Sequence, residues 1–318
     1  MVKNTIKIIA INILVLFTLL FISDFVLCKI ENNRLKPQNQ YKYDLLNKIF
    51  NPTIHNLKAM NFDNEKSYGD GSSGRKPDGL NFKAQKPIVV FGCSFAYGHY
   101  LYQNQTFSYK LANILQKPVY NRAIAGAGPQ YAYYQTLTEE FYEEIPKTDT
   151  IIFVMIDDHY RRILGEMFSI SDQDLNLHYK IINNNLVMDN YKNYLLNYFK
   201  HSNTLKFIRH KYKNYYIENP NNAEKMTNDL MLYFIKTREN IEKKWNNKIN
   251  FYVIFYEEIK HQDMLQKKLK ENNFKVIKTS QLTNENLSSE EYKMLDNGHP
   301  KESAWNLLTP LIAKELNL

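Results

Sequence analysis

Two short stretches carry residues whose types and spacing could do covalent chemistry. Gly92, Ser94 and Gly98 form a G-x-S-x-x-x-G pattern directly after the apolar run from Ile88 to Phe91. A Ser in a Gly-flanked turn between a buried strand and a helix is exposed, and its backbone N–H groups are free to face a developing oxyanion. Glycine permits the tight geometry such a turn needs. As bare pattern it reads equally well as a structural turn. It is neither a G-x-S-x-G elbow nor a phosphate-binding loop, since no Gly-Lys-Ser/Thr follows. The second stretch runs Asp296, Asn297, Gly298, His299, Pro300. A Ser nucleophile needs a base, and the base needs an orienting carboxylate. Asp296 and His299, three residues apart on one loop, can supply both. Pro300 suits the first turn of a following helix. Alone, His299 reads as a surface or capping residue; together the two stretches point to acyl transfer through Ser94, His299 and Asp296.

Such residues need a scaffold, and the apolar pattern describes one. Ile88–Phe91, Val119–Tyr120, Thr150–Ile156, Asn250–Tyr256 and Phe274–Ile277 are short apolar runs that read as buried strands. Between them, helices are predicted over Thr106–Gln116, Tyr131–Tyr142, Ala223–Trp245 and 260–272, with a closing amphipathic helix over Ser303–Leu316. Strands alternating with helices imply an α/β fold with a parallel, doubly wound sheet and a ligand site at the C-terminal ends of its strands. The polar, Tyr- and Asn-rich stretch 160–222 reads as an inserted cap. Residues 29–86, with Pro37, Pro52, Pro77 and a run of glycines from Gly69 to Gly79, read as a linker and N-terminal elaboration ahead of a main domain at 87–318.

On these motifs the chain resembles the SGNH (GDSL-type) hydrolases, over roughly residues 87–318. Gly92-Cys93-Ser94 resembles the G-D-S of block one, with Cys93 where Asp is usual. Ala125-Gly126, in the small-residue loop after Asn121, resembles the block-two Gly whose N–H joins the oxyanion hole. Asp296 and His299 match the last block in type and spacing. The resemblance implies a flavodoxin-like SGNH fold and a serine ester hydrolase without a cofactor. Block three departs: the family pattern G-x-N-D is replaced by Met155-Ile156-Asp157-Asp158-His159, without the Gly or the Asn that supplies a third oxyanion donor. A carboxylate facing an oxyanion repels it. The expectation is therefore that Asp157 or Asp158 turns away to Arg161 or Arg162, leaving His159 or a backbone N–H as the third donor.

Composition bounds the remainder. The 318 residues are 44% hydrophobic and 23% charged, which excludes wholesale disorder and a coiled coil. Two cysteines, Cys28 and Cys93, make neither a disulfide framework nor a zinc ribbon. A net charge of +8 without a dense basic block does not point to nucleic acid. His178, His201 and His210 lack metal-ligand spacing, and there is no cofactor fingerprint. Residues 6–28 are nearly continuously apolar in a chain of mean hydropathy −0.51. Lys3 and Lys7 lie at the start of that run, and no small-x-small cleavage site ends it, so a single-pass signal anchor over 1–28 is expected, with the rest extracytoplasmic. The resulting expectation is a membrane-anchored esterase acting on an ester substrate, with O-acetylated envelope carbohydrate as the candidate. A sugar O-acyltransferase with the same triad and a non-catalytic carbohydrate-binding relative are the alternatives.

Overall fold

The computed structural model describes residues 15, 18–19, 77–79, 81–82, 86–163, 179–188, 215, 218–294 and 298–316. The chain divides into two units, one of residues 1–59 with 191–215 and one of 60–190 with 216–318. In the first, the described positions Val15, Thr18, Leu19 and Tyr215 are helical and exposed. The expected anchor over 1–28 and the loop of Asp296 thus lie almost wholly, or wholly, outside the described residues. Among those described, no helix is long and apolar enough to cross a membrane.

The second unit is built on five parallel strands: β1 (Ile88–Gly92), β2 (Val119–Asn121), β3 (Thr150–Met155), β6 (Asn250–Phe255) and β7 (Lys275–Lys278). Their order is β2-β1-β3-β6-β7, all pairs parallel. Strands β1 and β3 are buried along their whole length, which is why they read as continuous apolar runs and not as alternating ones. Alternation survives in three dimensions. Ile88, Val90, Ile152, Val154 and Ile254 enter one core; Val89, Phe91, Ile151, Phe153, Met155 and Val253 enter the other.

Helices cover both faces. The first core receives α1 (Ser94–Tyr97), α2 (Phe107–Leu115) and, from the far end of the sequence, helix α9 (Glu302–Leu316). The second receives α4 (Glu139–Glu144), the long α6 (Pro220–Trp245) and α7 (Gln262–Glu271). Helices α3 (Pro129–Gln135) and α5 (Asp158–Arg162) follow β2 and β3, and α8 (Thr279–Leu282) follows β7. The expected doubly wound parallel sheet is present, and its order reverses at β1, where β2 leaves on one side and β3 on the other. That reversal opens the crevice in which α/β sheets hold ligands.

Two elements differ from the sequence reading. The helix expected over 131–142 is two, α3 and α4. Between them the hydroxyls of Thr136 and Thr138 bond back to the carbonyls of Tyr133 (2.6 Å) and Gln135 (2.9 Å), offering the backbone an alternative to further helix. Inside the stretch expected to form a cap, β4 (Tyr179–Ile182) and β5 (Asn185–Met188) make an antiparallel hairpin. Its turn residues Asn183 and Asn184 both have positive φ (49° and 59°), the conformation Asn tolerates in tight hairpins.

Candidate active site

Strand β1 delivers Ser94 as the first residue of α1. Gly92, at φ 147°, makes the strand-to-helix turn possible. A methyl group there would lie 2.8 Å from Cβ of Ala96 and 3.0 Å from the carbonyl of Val154. At the other end Gly98 (φ 78°) donates its N–H to the carbonyls of Ser94 (3.0 Å) and Phe95 (3.2 Å), closing α1 after one turn. Cys93, beside the candidate nucleophile, is fully buried in the first core, where it packs as a small hydrophobe.

His299 arrives from the far end of the chain. Its loop is pinned by the backbone bridge between Lys293 and Pro300, with Met294 donating to the His299 carbonyl (2.8 Å). The helix that follows is clamped at its start: Glu302 accepts from Gln105 (2.8 Å) and Lys110 (3.0 Å). Further along, Trp305 packs at a tilt against Phe107 and Tyr256 at 5.0 and 5.2 Å, and Tyr256 meets Phe95 edge-on at 5.2 Å. This aromatic chain brings the His299 ring to 5.4 Å from the ring of Phe95, the neighbour of Ser94. Ser94 and His299 each keep only 8% of their surface exposed. The two sequence motifs are therefore at one place, while Asp296 lies outside the described residues.

Two residues beside the imidazole were not singled out in the sequence. The rings of His99 and Tyr100 lie 5.1 and 5.7 Å from that of His299. Tyr100 is exposed and has φ 65°, an uncommon conformation for a bulky side chain. Only the tertiary fold makes them neighbours of His299. The one advance hint was their place just after Gly98.

The loop after β2 holds Gly126 in a defined turn. Ala127 donates to the Ile124 carbonyl (3.0 Å) and Gly126 has φ 77°, as the third position of a type II turn requires. The turn's own bond uses the N–H of Ala127, not that of Gly126. Buried Asn121 ties this loop to the Ser-bearing helix: its Oδ1 accepts from the Ala123 N–H (3.1 Å) and its amide donates to the Ala96 carbonyl (2.9 Å). Ile124 donates to the Gly92 carbonyl (3.3 Å). Backbone N–H groups of Ser94 and Gly126 are thus carried by two segments bonded to each other.

At the end of β3 the two acids turn away from one another. Asp158 holds Arg162, its Oδ2 accepting from Nε (2.9 Å) and lying 2.8 Å from Nη2. Asp157 accepts from the backbone N–H of Lys260 (2.8 Å). His159 departs from the expectation of a third oxyanion donor. Its ring is fully buried, edge-on to Phe153 at 5.1 Å, and its Nδ1 accepts from the N–H of Ile156 (3.2 Å). Burial, reinforced by the Arg162 charge, holds its pKa well below the usual imidazole value, against a smaller opposing effect of the Ala127 carbonyl. It is a neutral ring in the protein interior, not a group presented to a ligand. Among the described residues no cluster of His, Cys, Asp and Glu could hold a metal ion.

No protein-family model matches the sequence, and no curated protein matches it. Solved structures resemble it at low identity. A member of the lipolytic protein G-D-S-L family from Veillonella parvula gives a TM-score of 0.42 at 11% identity, over 73% of this chain and 99% of its own. A catalytic mutant of an acetylxylan esterase from Geobacillus stearothermophilus gives 0.38 at 13%, over 74% and 95%. A family two carbohydrate esterase from Cellvibrio japonicus gives 0.38 at 11%, over 73% and 61%.

Proposed function

We propose that the chain is a serine ester hydrolase of the SGNH type. Ser94 attacks the ester carbonyl, His299 takes its proton and returns it to the leaving alcohol, and Asp296 orients His299. The tetrahedral oxyanion is held by the N–H groups of Ser94 and Gly126. One observation carries this reading: His299, 205 positions after Ser94 in the sequence, packs its ring 5.4 Å from that of Phe95, the residue next to Ser94. The substrate we infer is an ester of carbohydrate, reached outside the cytoplasm by a domain anchored through residues 1–28. Supporting it are the apolar N-terminal run and the exposed aromatic Tyr100 beside His299.

The test is labelling with a serine-reactive fluorophosphonate alongside hydrolysis of 4-nitrophenyl acetate. Wild type should label and turn over; Ser94→Ala should lose both while keeping its unfolding transition. His299→Ala should lower kcat by at least about a thousandfold, the scale on which serine triads fail when one member is removed. A wild-type protein that neither labels nor hydrolyses refutes the enzyme reading. Membrane fractionation addresses the anchor: a soluble species starting near residue 29 would show cleavage in place of anchoring.

A further inference from the structure

The loop bearing Gly126 is held at its N-terminal side by Asn121 and the Gly92 carbonyl. At its C-terminal side another group takes over. Arg162 Nη1 donates to the Ala127 carbonyl at 2.5 Å, while Nε and Nη2 are occupied by Asp158. Gln130, in the helix that the loop enters, donates back to the Arg162 carbonyl (3.2 Å). Packing is close enough that a methyl group on Gly128 would come within 3.0 Å of Cβ of Arg162. The Arg162 side chain is only 18% exposed, so it is built into the loop's floor and does not reach into solvent.

Resting on the esterase reading above, we propose that Arg162 is a positioning residue of the oxyanion hole: locked by Asp158, it fixes the Ala127 peptide and so the direction of the Gly126 N–H. An oxyanion donor is effective because it is oriented before charge develops on the substrate. A type II turn pinned at one end can rock about the other, and a displacement of about 1 Å at a catalytic group costs on the order of a hundredfold in rate. The segment after β3 then serves the oxyanion indirectly. Where the family pattern supplies an Asn donor, this chain supplies an acid that anchors an arginine, and the arginine anchors the loop. The guanidinium suits this task because its planar fork can bind a carboxylate and a carbonyl at once, which a lysine ammonium does not do with fixed geometry.

The experiment compares wild type, Arg162→Ala, Arg162→Lys and Asp158→Asn in hydrolysis of 4-nitrophenyl acetate and in inhibition by phenylboronic acid, a mimic of the tetrahedral adduct. Arg162→Ala should lower kcat by about 10- to 100-fold with KM within about twofold, and should weaken the boronate by a similar factor. Added guanidinium should restore part of the Arg162→Ala rate. Arg162→Lys and Asp158→Asn should fall between that variant and wild type. Loss of the fold alone would not move kcat and boronate affinity together while sparing KM. If Arg162→Ala does not fold, Asp158→Asn, which keeps the guanidinium but weakens its anchor, carries the same comparison. An active wild type whose variants keep kcat and boronate affinity, or lose only KM, overturns this inference alone. A wild type that hydrolyses no ester and does not label overturns the esterase reading and this inference with it.

Discussion

Gly92 and Gly98 bracket the candidate nucleophile, and each is needed for a different reason. Gly92 sits where the chain leaves a fully buried strand, with no room for a side chain between Ala96 and the Val154 carbonyl; Gly98 ends α1 in the left-handed region, with Cγ2 of Thr106 2.7 Å from where a Cβ would be. Replacing Gly92 by Ala should cost roughly 1–3 kcal/mol from backbone strain, with the clash in addition. Urea unfolding followed by circular dichroism would measure it, and unchanged stability would show that the turn relaxes freely. These glycines were legible in the sequence because they punctuate an apolar run. The aromatic surroundings of His299 were not: Phe95 was read only as part of a motif, and Tyr256, which meets it edge-on with Trp305 packed behind, lies more than 150 residues away. The block-three departure was legible in part. That an acid would turn to an arginine followed from two arginines lying within a few residues; that Asp158 takes Arg162, one helical turn on, did not. The enclosure of His159 did not follow, because burial on the second core depends on Phe153 and on the carbonyl of the distant Ala127.

Helix α5 gives the pH response a definite direction. His159 is buried and neutral in the folded protein, with its pKa held well below the ordinary value near 6.5, whereas in the unfolded chain it binds a proton at about that value. The unfolded state therefore holds more protons between the two values, and stability rises with pH across that window. The contribution is complete above about pH 6.5 and is lost as pH falls toward the folded value, by at most about 1.4 kcal/mol per pH unit. Comparing urea unfolding of wild type and His159→Gln at pH 7.5 and 5.5 isolates the effect, since the other titrating groups cancel in the difference. The variant should be less stable at pH 7.5 but lose less stability on acidification. Parallel behaviour of the two proteins would mean that the ring is charged or solvated in the fold. At this scale the strands were the most readable elements, since a buried parallel strand announces itself as four to six consecutive apolar residues. The break between α3 and α4 was hidden because it contains neither Gly nor Pro, only threonines that act through their side chains. The β4–β5 hairpin was written in Asn183-Asn184-Asn185 between the apolar Ile181-Ile182 and Leu186-Val187, a signal diluted by the polar composition around it.

Taken whole, the molecule builds its candidate site from the two ends of the described fold, so local and global integrity are linked there. Helix α9 contributes no chemistry of its own, yet it fixes the loop of His299 through Glu302 and fills the first core with Trp305, which is completely buried. Truncating Trp305 to Ala should cost about 3–5 kcal/mol and should reduce ester turnover even under conditions where the sheet stays folded, because His299 loses its support. Calorimetry and 4-nitrophenyl acetate hydrolysis on the same sample would show whether the two losses go together. The sheet's outer margin raises a separate matter. Strand β2 lies at the edge of the sheet, and its free side is met at one point by Asp78, whose N–H and carbonyl both pair with Val119 at 2.9 Å while its carboxylate accepts from Gln103 (2.6 Å). Unpaired strand margins recruit other chains, and natural proteins blunt them with short strands, covers or charge. A three-residue edge with an acidic residue laid across it does all of these. A chain begun at Pro87 would keep every described strand and both candidate catalytic motifs, yet it would lack the Asp78 cover on β2. It should self-associate at concentrations where a chain begun at residue 60, which keeps Asp78 but not residues 1–28, stays monomeric, and light scattering on the two side by side would reveal the difference.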